Sequence, residues 1–264
     1  MSTSWRPAER LLAALSLIVL FALGMAMYGQ ANQPPPASDD DYIENVLYPA
    51  TALLFEQDDK GSMRMLCTAT AIEKTANGYR FLTAAHCVAE DNENRKEVEP
   101  KKGFLFISGD APGSKEFLRA KLVAAGYQHR GDDFSLLDVE TKAEFPVVKL
   151  GFDPTGHAAE SIVNIASPLG LGKQTFRGYV SSPLLDRPVA FSDIQWTGAM
   201  LIQLYGTNGG SSGSAIVCMK QRAICGNLVG SVGQTETVAV PISRFKKFYE
   251  MFKAGKYKWF RPEE

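Results

Sequence analysis

The chain has 264 residues, of which 45% are hydrophobic and 22% are charged, with a formal net charge of −1 at pH 7. This composition is typical of a globular protein and argues against a largely disordered chain. Because Lys and Arg are not in excess, it also argues against nucleic acid as a partner.

The N-terminus carries a strongly apolar stretch. Residues 11–28 contain no charged side chain and follow Arg6 and Arg10, so residues 1–10 are expected to stay in the cytoplasm while the rest crosses the membrane. At about 1.5 Å per helical residue, the stretch is just long enough for most of a bilayer. We predict an uncleaved signal anchor; the alternative is a signal peptide cut near residues 29–31, which would give a secreted protein. Both interpretations place the remaining chain outside the cytoplasm, in the periplasm or the extracellular space.

The segment that follows predicts a boundary. Residues 29–41 contain three consecutive prolines and predict a stiff, polar linker. The folded domain is therefore expected to span residues 42–264. Within it, the dipeptide Asn77-Gly78 predicts a tight hairpin. The charge-rich residues 89–102 predict a solvated surface loop rather than a calcium-binding loop.

Short apolar runs recur along this domain and contain the residue types that favour strands. They predict strands at residues 50–55, 63–72, 79–84, 103–108, 120–124, 134–139, 147–150, 161–166, 175–180, 200–204, 214–217 and 228–232. Because helical character is confined to residues 243–252, the pattern predicts an all-β fold, and the length fits two small antiparallel barrels. We place the first barrel at residues 42–145, the second at 146–242, and a C-terminal helix and tail at 243–264.

The four cysteines are Cys67, Cys87, Cys218 and Cys225. No two of them have the short spacing typical of zinc sites, so no bound metal is predicted. An even number of cysteines in an exported chain predicts two disulfides formed in an oxidising compartment.

Three segments carry residues suited to acyl transfer. In residues 210–214 (GSSGS), glycines flank Ser212 in a tight turn, and the N–H groups of Gly210 and Ser212 are placed to stabilise an oxyanion. His86 follows an apolar strand, and Asp133 opens another. Acyl transfer by a serine needs a base for the hydroxyl proton and a carboxylate that orients the base. The three segments together therefore indicate a catalytic triad.

Two other carboxylates compete with Asp133 for this role. Asp132 precedes it directly, and Asp138 lies on the same predicted strand. Strand alternation puts Asp132 on the opposite face from Asp133, and the position of the following Leu-Leu pair favours Asp133.

The sequence resembles the chymotrypsin-fold serine proteases over nearly all of residues 48–252. Residues 83–87 (TAAHC) are similar to the histidine motif of that family, and residues 133–137 (DFSLL) to its Asp-x-Ala-Leu-Leu strand. Residues 210–214 are similar to its serine loop, with Ser where most members have a second Gly.

The resemblance implies two six-stranded antiparallel Greek-key barrels with the site between them. It implies His86 as general base, Asp133 as the partner that orients it, and Ser212 as nucleophile. The expected activity is that of an extracytoplasmic serine endopeptidase acting through an acyl-enzyme on protein or peptide substrates, with no metal or organic cofactor.

Further segments are similar to the bacterial high-temperature-requirement branch of the family. Residues 166–170 and 178–181 resemble its Gly-Asn-Pro-x-Gly…Gly-x-Val-Ser segment, and residues 229–230 and 239–242 resemble its late strands. The peptide-binding domain usual in that branch is expected to be absent. The oligomeric state is not predicted.

Two departures from the digestive members of the family concern activation and specificity. In those enzymes a freed N-terminal amine pairs with an acid just before the nucleophile; Ser211 occupies that position here, so activation by such a cleavage is not expected. The predicted substrate pocket consists of Gly206, Thr207, Val229, Gly230 and Ser231. Because none of these residues carries a negative charge, we predict a small or medium uncharged side chain before the cut.

The cysteines fit this fold. Cys67 lies on the strand beside Cys87, so a bridge between them would hold the loop of His86. A bridge between Cys218 and Cys225 would close a hairpin that leaves the Ser212 turn.

Two other functions stay open. One is a catalytically silent barrel that serves as a binding or scaffold module at the membrane surface; the intact set of three residues argues against it. The other is ester cleavage, or acyl transfer to an acceptor other than water, by the same residues.

Overall fold

The computed structural model describes residues 38–92, 97–108, 116–154, 159–185, 189–191, 194–196, 198–233 and 235–257. The chain forms two units, Met1–Ser38 and Asp39–Glu264. The predicted membrane segment at residues 11–28 and most of the predicted linker lie outside the described residues. No helix in the described part is long and apolar enough to cross a membrane.

Eight strands lie in the described residues of the first half of the larger unit. They are β1 (Thr51–Gln57), β2 (Met63–Lys74), β3 (Gly78–Thr83), β4 (Ala89–Asn92), β5 (Glu97–Pro100), β6 (Phe104–Ser108), β7 (Phe117–Ala125) and β8 (Ser135–Glu140). Six of them close an antiparallel barrel in the order β1–β2–β3–β8–β7–β6, and β4 and β5 form a separate hairpin. The tight turn predicted at Asn77-Gly78 joins β2 to β3, with the Thr75 N–H donating to the Gly78 carbonyl at 2.8 Å.

In the second half, the part of the chain that the structure describes contains eight further strands. They are β9 (Ser161–Ala166), β10 (Gln174–Ser182), β11 (Val189–Phe191), β12 (Ile194–Trp196), β13 (Met200–Gln203), β14 (Ala215–Cys218), β15 (Ala223–Val232) and β16 (Glu236–Pro241). Six of them close a second antiparallel barrel in the order β10–β13–β16–β15–β14–β9, and β11 pairs with β12. The predicted pair of six-stranded barrels is confirmed.

Strand β2 is buried on both faces. All residues from 67 to 72 are buried, so Thr68 and Thr70, which alternate with apolar residues, do not face solvent. Cys67, Ala69 and Ala71 belong to the main hydrophobic core, which includes side chains from both barrels. Thr68, which lies between Cys67 and Ala69 on the strand, instead makes hydrogen bonds to the turn that precedes β14.

The C-terminal helix (Ile242–Lys253) packs on the first barrel through an apolar face. Its buried side chains are Ile242, Phe245, Phe248 and Tyr249, which are spaced as one face of a helix requires. The Phe245 and Phe248 rings lie 5.5 and 4.9 Å from the ring of Phe134. The Asp153 carboxylate accepts the Ser243 N–H at 2.9 Å and so caps the N-terminus of the helix.

Several predicted elements differ from the structure. Residues 147–150 form an extended connection rather than a strand, because they pair only through a single bridge from Leu150 to Ile224. Residues 89–102 contain the β4–β5 hairpin instead of a loop, with Val98 fully buried among charged neighbours. The folded unit begins with short helical turns at residues 39–50, slightly before the predicted boundary.

Candidate active site

His86 lies in a single helical turn, Ala85–Val88, directly after β3. The turn is held by the Cys67–Cys87 disulfide, which joins it to β2 with a Cα–Cα distance of 6.3 Å. The two sulfurs and the His86 ring lie within 4.8 Å of one another, but both sulfurs are in the disulfide and offer no thiolate to a metal. The histidine is therefore placed on a rigid support next to a covalent crosslink.

The carboxylate of Asp133 is fully buried and faces His86. Its Oδ2 accepts the Nδ1–H of His86 at 2.7 Å, and its Oδ1 accepts the backbone N–H of His86 at 2.9 Å. Since Nδ1 donates to the carboxylate in this arrangement, Nε2 is left as the proton acceptor of the neutral ring. The pair can therefore act as an oriented general base.

The competing carboxylates lie elsewhere. Asp132 accepts from the Arg244 guanidinium at 3.1 Å, and Asp138 binds Arg80 through two hydrogen bonds of 2.7 and 2.9 Å. Phe134, the residue after Asp133, is fully buried against the C-terminal helix. The residue next to Asp133 is thus anchored against the C-terminal helix.

The turn that carries Ser212 lies against the first barrel. The Ser212 carbonyl accepts the Thr68 N–H at 2.9 Å, and the Gly213 N–H donates to the Leu228 carbonyl at 2.7 Å. A Cβ on Gly213 would lie 2.2 Å from Thr83 Oγ1 and 2.7 Å from the Ala84 nitrogen. The residue after Ser212 therefore contacts the backbone that leads directly to His86.

Two glycines give the turn its shape. Gly210 has φ +95° and Gly213 has φ +81°, which are backbone conformations that residues other than glycine rarely adopt. In the described part of the chain, neither the Gly210 N–H nor the Ser212 N–H donates to another protein group. Two amide donors are therefore available beside Ser212. The residue between them, Ser211, is buried and bonds locally, accepting the Asn208 N–H at 3.2 Å.

The predicted pocket residues lie on two adjoining elements. Gly206 and Thr207 precede the serine turn, whereas Val229, Gly230 and Ser231 lie on β15. The hydroxyl of Thr207 is hydrogen-bonded to that of Thr237 at 2.9 Å, and Thr237 is fully buried on β16. Sequence reasoning missed Thr237, although it lies on the strand beside the predicted pocket residues of β15, where it pairs with Ser231.

The environment of His86 shifts its pKa. Burial lowers the pKa of His86, but the charge of Asp133 and its hydrogen bond to the ring together raise it by more. The net result is a pKa above the ordinary value of 6.5. The charge of Lys101 acts in the opposite direction, and its ammonium donates to the His86 carbonyl at 2.7 Å.

A pH profile should report these charges. A protonated His86 cannot accept a proton, so hydrolysis is expected to fall as the pH drops through a midpoint above 6.5. In Lys101→Met the opposing positive charge is lost, and the midpoint of kcat/KM should move to higher pH. Lys102→Met, at the exposed neighbouring position, is the control. An unchanged midpoint in Lys101→Met would show that Lys101 does not influence the histidine.

Both predicted disulfides are present. Besides the Cys67–Cys87 bridge, Cys218 and Cys225 are joined across the β14–β15 hairpin with a Cα–Cα distance of 5.7 Å. The described residues contain no free cysteine. Two disulfides indicate that this domain matures in an oxidising compartment outside the cytoplasm.

Solved structures similar to this chain include two proteases. An HtrA-type protease, AlgW with tripeptide, has a TM-score of 0.60 and 17% identity; the match covers 83% of this chain and 64% of that one, so this chain spans less than two thirds of its length. A serine endoprotease from Yersinia pestis has a TM-score of 0.58 and 19% identity; the match covers 84% of this chain and 69% of that one. At these identities, the likeness concerns the fold. No curated protein matches the sequence.

Two six-stranded barrels, with the histidine and serine segments brought into contact, have the fold of the chymotrypsin-like proteases. The sequence itself identifies the family. Residues 49–240 match the family of the lysyl endopeptidase C-terminal domain, and the chain belongs to that family. The prediction of a chymotrypsin-fold serine endopeptidase is confirmed.

Proposed function

We propose that this protein hydrolyses peptide bonds with a triad of Ser212, His86 and Asp133. The observation that carries the proposal is the pair of hydrogen bonds from His86 to the buried Asp133 carboxylate. It is supported by the contact of Gly213 with the residues that lead to His86, because this contact brings the serine turn next to the imidazole.

The chemistry follows from these positions. His86 Nε2 takes the hydroxyl proton as the Ser212 oxygen attacks the carbonyl carbon, and the N–H groups of Gly210 and Ser212 stabilise the oxyanion. The C–N bond then breaks, and the proton passes from His86 to the leaving amine. A water molecule, deprotonated by His86, hydrolyses the acyl-enzyme and restores the serine.

We propose an uncharged side chain before the cut. Gly206 offers no charge, and the Thr207–Thr237 hydroxyl pair makes that part of the proposed pocket polar but neutral. The family name points to a second candidate, cleavage after lysine, and Glu236 is the acid nearest in sequence to Thr237. Successive residues of a strand point to opposite faces, so Glu236 and Thr237 should not share a pocket.

We also propose that residues 11–28 anchor the protein in the membrane or are cleaved as a signal peptide, with the protease domain, residues 42–264, outside the cytoplasm. The uncharged run after two arginines supports export, and the two disulfides agree with it. Activation by a new N-terminus is not required, because Ser211 is held by local hydrogen bonds.

One experiment tests the activity. The full chain and its Ser212→Ala variant are treated with a fluorophosphonate, and their cleavage of a proteome-derived peptide library is profiled. We expect labelling and cleavage by the wild type and neither by Ser212→Ala. Ser161→Ala, an exposed serine at the start of β9, is the matched control and should behave as the wild type.

The outcomes separate the alternatives. Failure of the folded wild type to label would favour the silent scaffold. If the protein is labelled and cleaves esters but not peptides, an esterase or acyl transferase would be favoured. In the library profile we expect small and medium uncharged residues before the cut; a profile dominated by Lys would overturn the proposed pocket and favour the second candidate.

A further inference from the structure

Thr68 of the first barrel is bound to the serine turn of the second. It is fully buried on β2. Its backbone N–H donates to the Ser212 carbonyl, and its hydroxyl donates to the Gly210 carbonyl, each at 2.9 Å. The same hydroxyl accepts the Ser167 N–H at 3.3 Å. One residue thus holds both positions whose N–H groups form the proposed oxyanion hole.

Gly210 needs such a hold because glycine has few steric limits on rotation. The carbonyl of the preceding residue, Gly209, accepts the Leu169 N–H at 2.7 Å. A peptide group is planar and trans, so the Gly210 N–H points away from the Gly209 carbonyl. With both carbonyls held from outside the turn, the direction of the Gly210 N–H is fixed.

We propose that Thr68 is a positioning residue of the oxyanion hole. Its hydroxyl, held in place by Ser167, keeps Gly210 in the conformation that directs its N–H toward the developing oxyanion. Thr68 acts through Gly210 and does not touch the substrate. The inference rests on the proposed function and adds to it a side chain from the opposite barrel.

The expected effect is on the transition state. Without the hydroxyl, the Gly210 carbonyl and the Ser167 N–H lose their partner, and Gly210 is free to rotate. The hydrogen bonds to the oxyanion form only as the carbonyl is attacked, so their weakening lowers kcat with little change in KM.

The test compares Thr68→Val, which has nearly the same shape without the hydroxyl, with Thr68→Ser, which keeps it. Loss of a whole oxyanion donor costs about a hundredfold or more, so a misdirected donor should cost about tenfold to a hundredfold in kcat. Thr68→Ser should retain most of the activity. Thr70→Val is the matched control, because Thr70 is equally buried on the same strand and its hydroxyl has no partner among the described residues.

A second measurement reports on the stabilisation of the oxyanion separately from substrate binding. A peptide aldehyde forms a tetrahedral adduct with the serine, whereas the corresponding peptide carboxamide binds without one. In Thr68→Val the affinity for the aldehyde should fall in parallel with kcat, while that for the carboxamide stays unchanged. A kcat equal to that of the wild type, or an equal loss in Thr68→Ser, would overturn the proposal.

Amide hydrogen exchange makes the test independent of activity. Exchange in residues 206–213 should be faster in Thr68→Val than in the wild type, and unchanged in Thr68→Ser and Thr70→Val. Unchanged exchange in Thr68→Val would overturn the positioning role even in an active enzyme. Faster exchange in a protein that neither labels nor hydrolyses would uphold this role and overturn only the proposed function.

Discussion

Asp133→Asn is expected to lower kcat by about 10⁴-fold while the protein stays folded. The two oxygens of Asp133 accept two different N–H groups of His86, its ring Nδ1–H and its backbone N–H. An amide has only one oxygen, so its NH₂ group must face one of these donors. If it faces the ring, the proton moves to Nε2, and the base toward Ser212 is lost. Steady-state kinetics with a peptide substrate measures the effect.

The same variant should change the pH profile. Removing the carboxylate charge removes what raises the pKa of His86 and leaves the opposing effect of burial. The midpoint of the residual activity should therefore move to lower pH.

Asp132→Asn is the matched control for this prediction, because it makes the same change one residue earlier. Asp132 binds Arg244, so its loss should leave kcat within about twofold and reduce stability by less than about 1 kcal/mol, as is usual for a partly exposed ion pair. Equal losses of activity in the two variants would contradict the assignment of Asp133. So would a variant Asp133→Asn that retains a tenth of the activity.

The parts of the site that sequence could predict are those encoded by neighbouring residues. The histidine turn, the strand after Asp133 and the glycine-flanked serine each carry a local pattern, because each needs a particular backbone shape around one functional side chain. Such patterns depend on a few consecutive positions, and a single sequence displays them. The Cys67–Cys87 disulfide required in addition the predicted placement of the two residues on adjacent elements.

Thr68 and Thr237 could not be found in this way. Thr68 is separated from Gly210 by 142 positions, and their hydrogen bond involves a backbone carbonyl, which any residue possesses. Thr237 meets Thr207 across 30 positions, because β13, the strand that Thr207 follows, pairs with β16. In an isolated strand both threonines resemble ordinary β-branched residues. Only the closure of the barrels shows what their hydroxyls contact.

The misassigned segments have a related cause. In residues 89–102, the number of charges predicted a loop, but the burial of Val98 decides the hairpin. Residues 147–150 have strand composition yet form no continuous ladder with a neighbour: the Val148 N–H donates to the Ala71 carbonyl of β2 at 3.0 Å, and Leu150 pairs with Ile224 of β15 through a single bridge. Strand formation depends on a partner, and composition does not specify the partner.

Gly213→Ala is expected to reduce kcat/KM by more than about a hundredfold, because an error of about 1 Å in the position of a reacting group can cost that much. The added Cβ would lie 2.2 Å from Thr83 Oγ1 and 2.5 Å from the Thr68 carbonyl oxygen. The latter belongs to a strand backbone and cannot turn aside, so the serine turn itself must move. Overpacking of this kind should also cost about 3 kcal/mol of stability, measured by chemical denaturation.

Gly255→Ala is the control that measures the cost of a positive φ without a steric clash. Gly255 also has a positive φ, +64°, but a Cβ there would meet no atom within 4 Å. This variant should lose only about 1 kcal/mol and keep its activity, since the strain of a left-handed residue is its sole defect. If Gly213→Ala were no worse than Gly255→Ala, the serine turn would have room to adjust. Close contact with the first barrel would then not be what fixes the position of the serine turn.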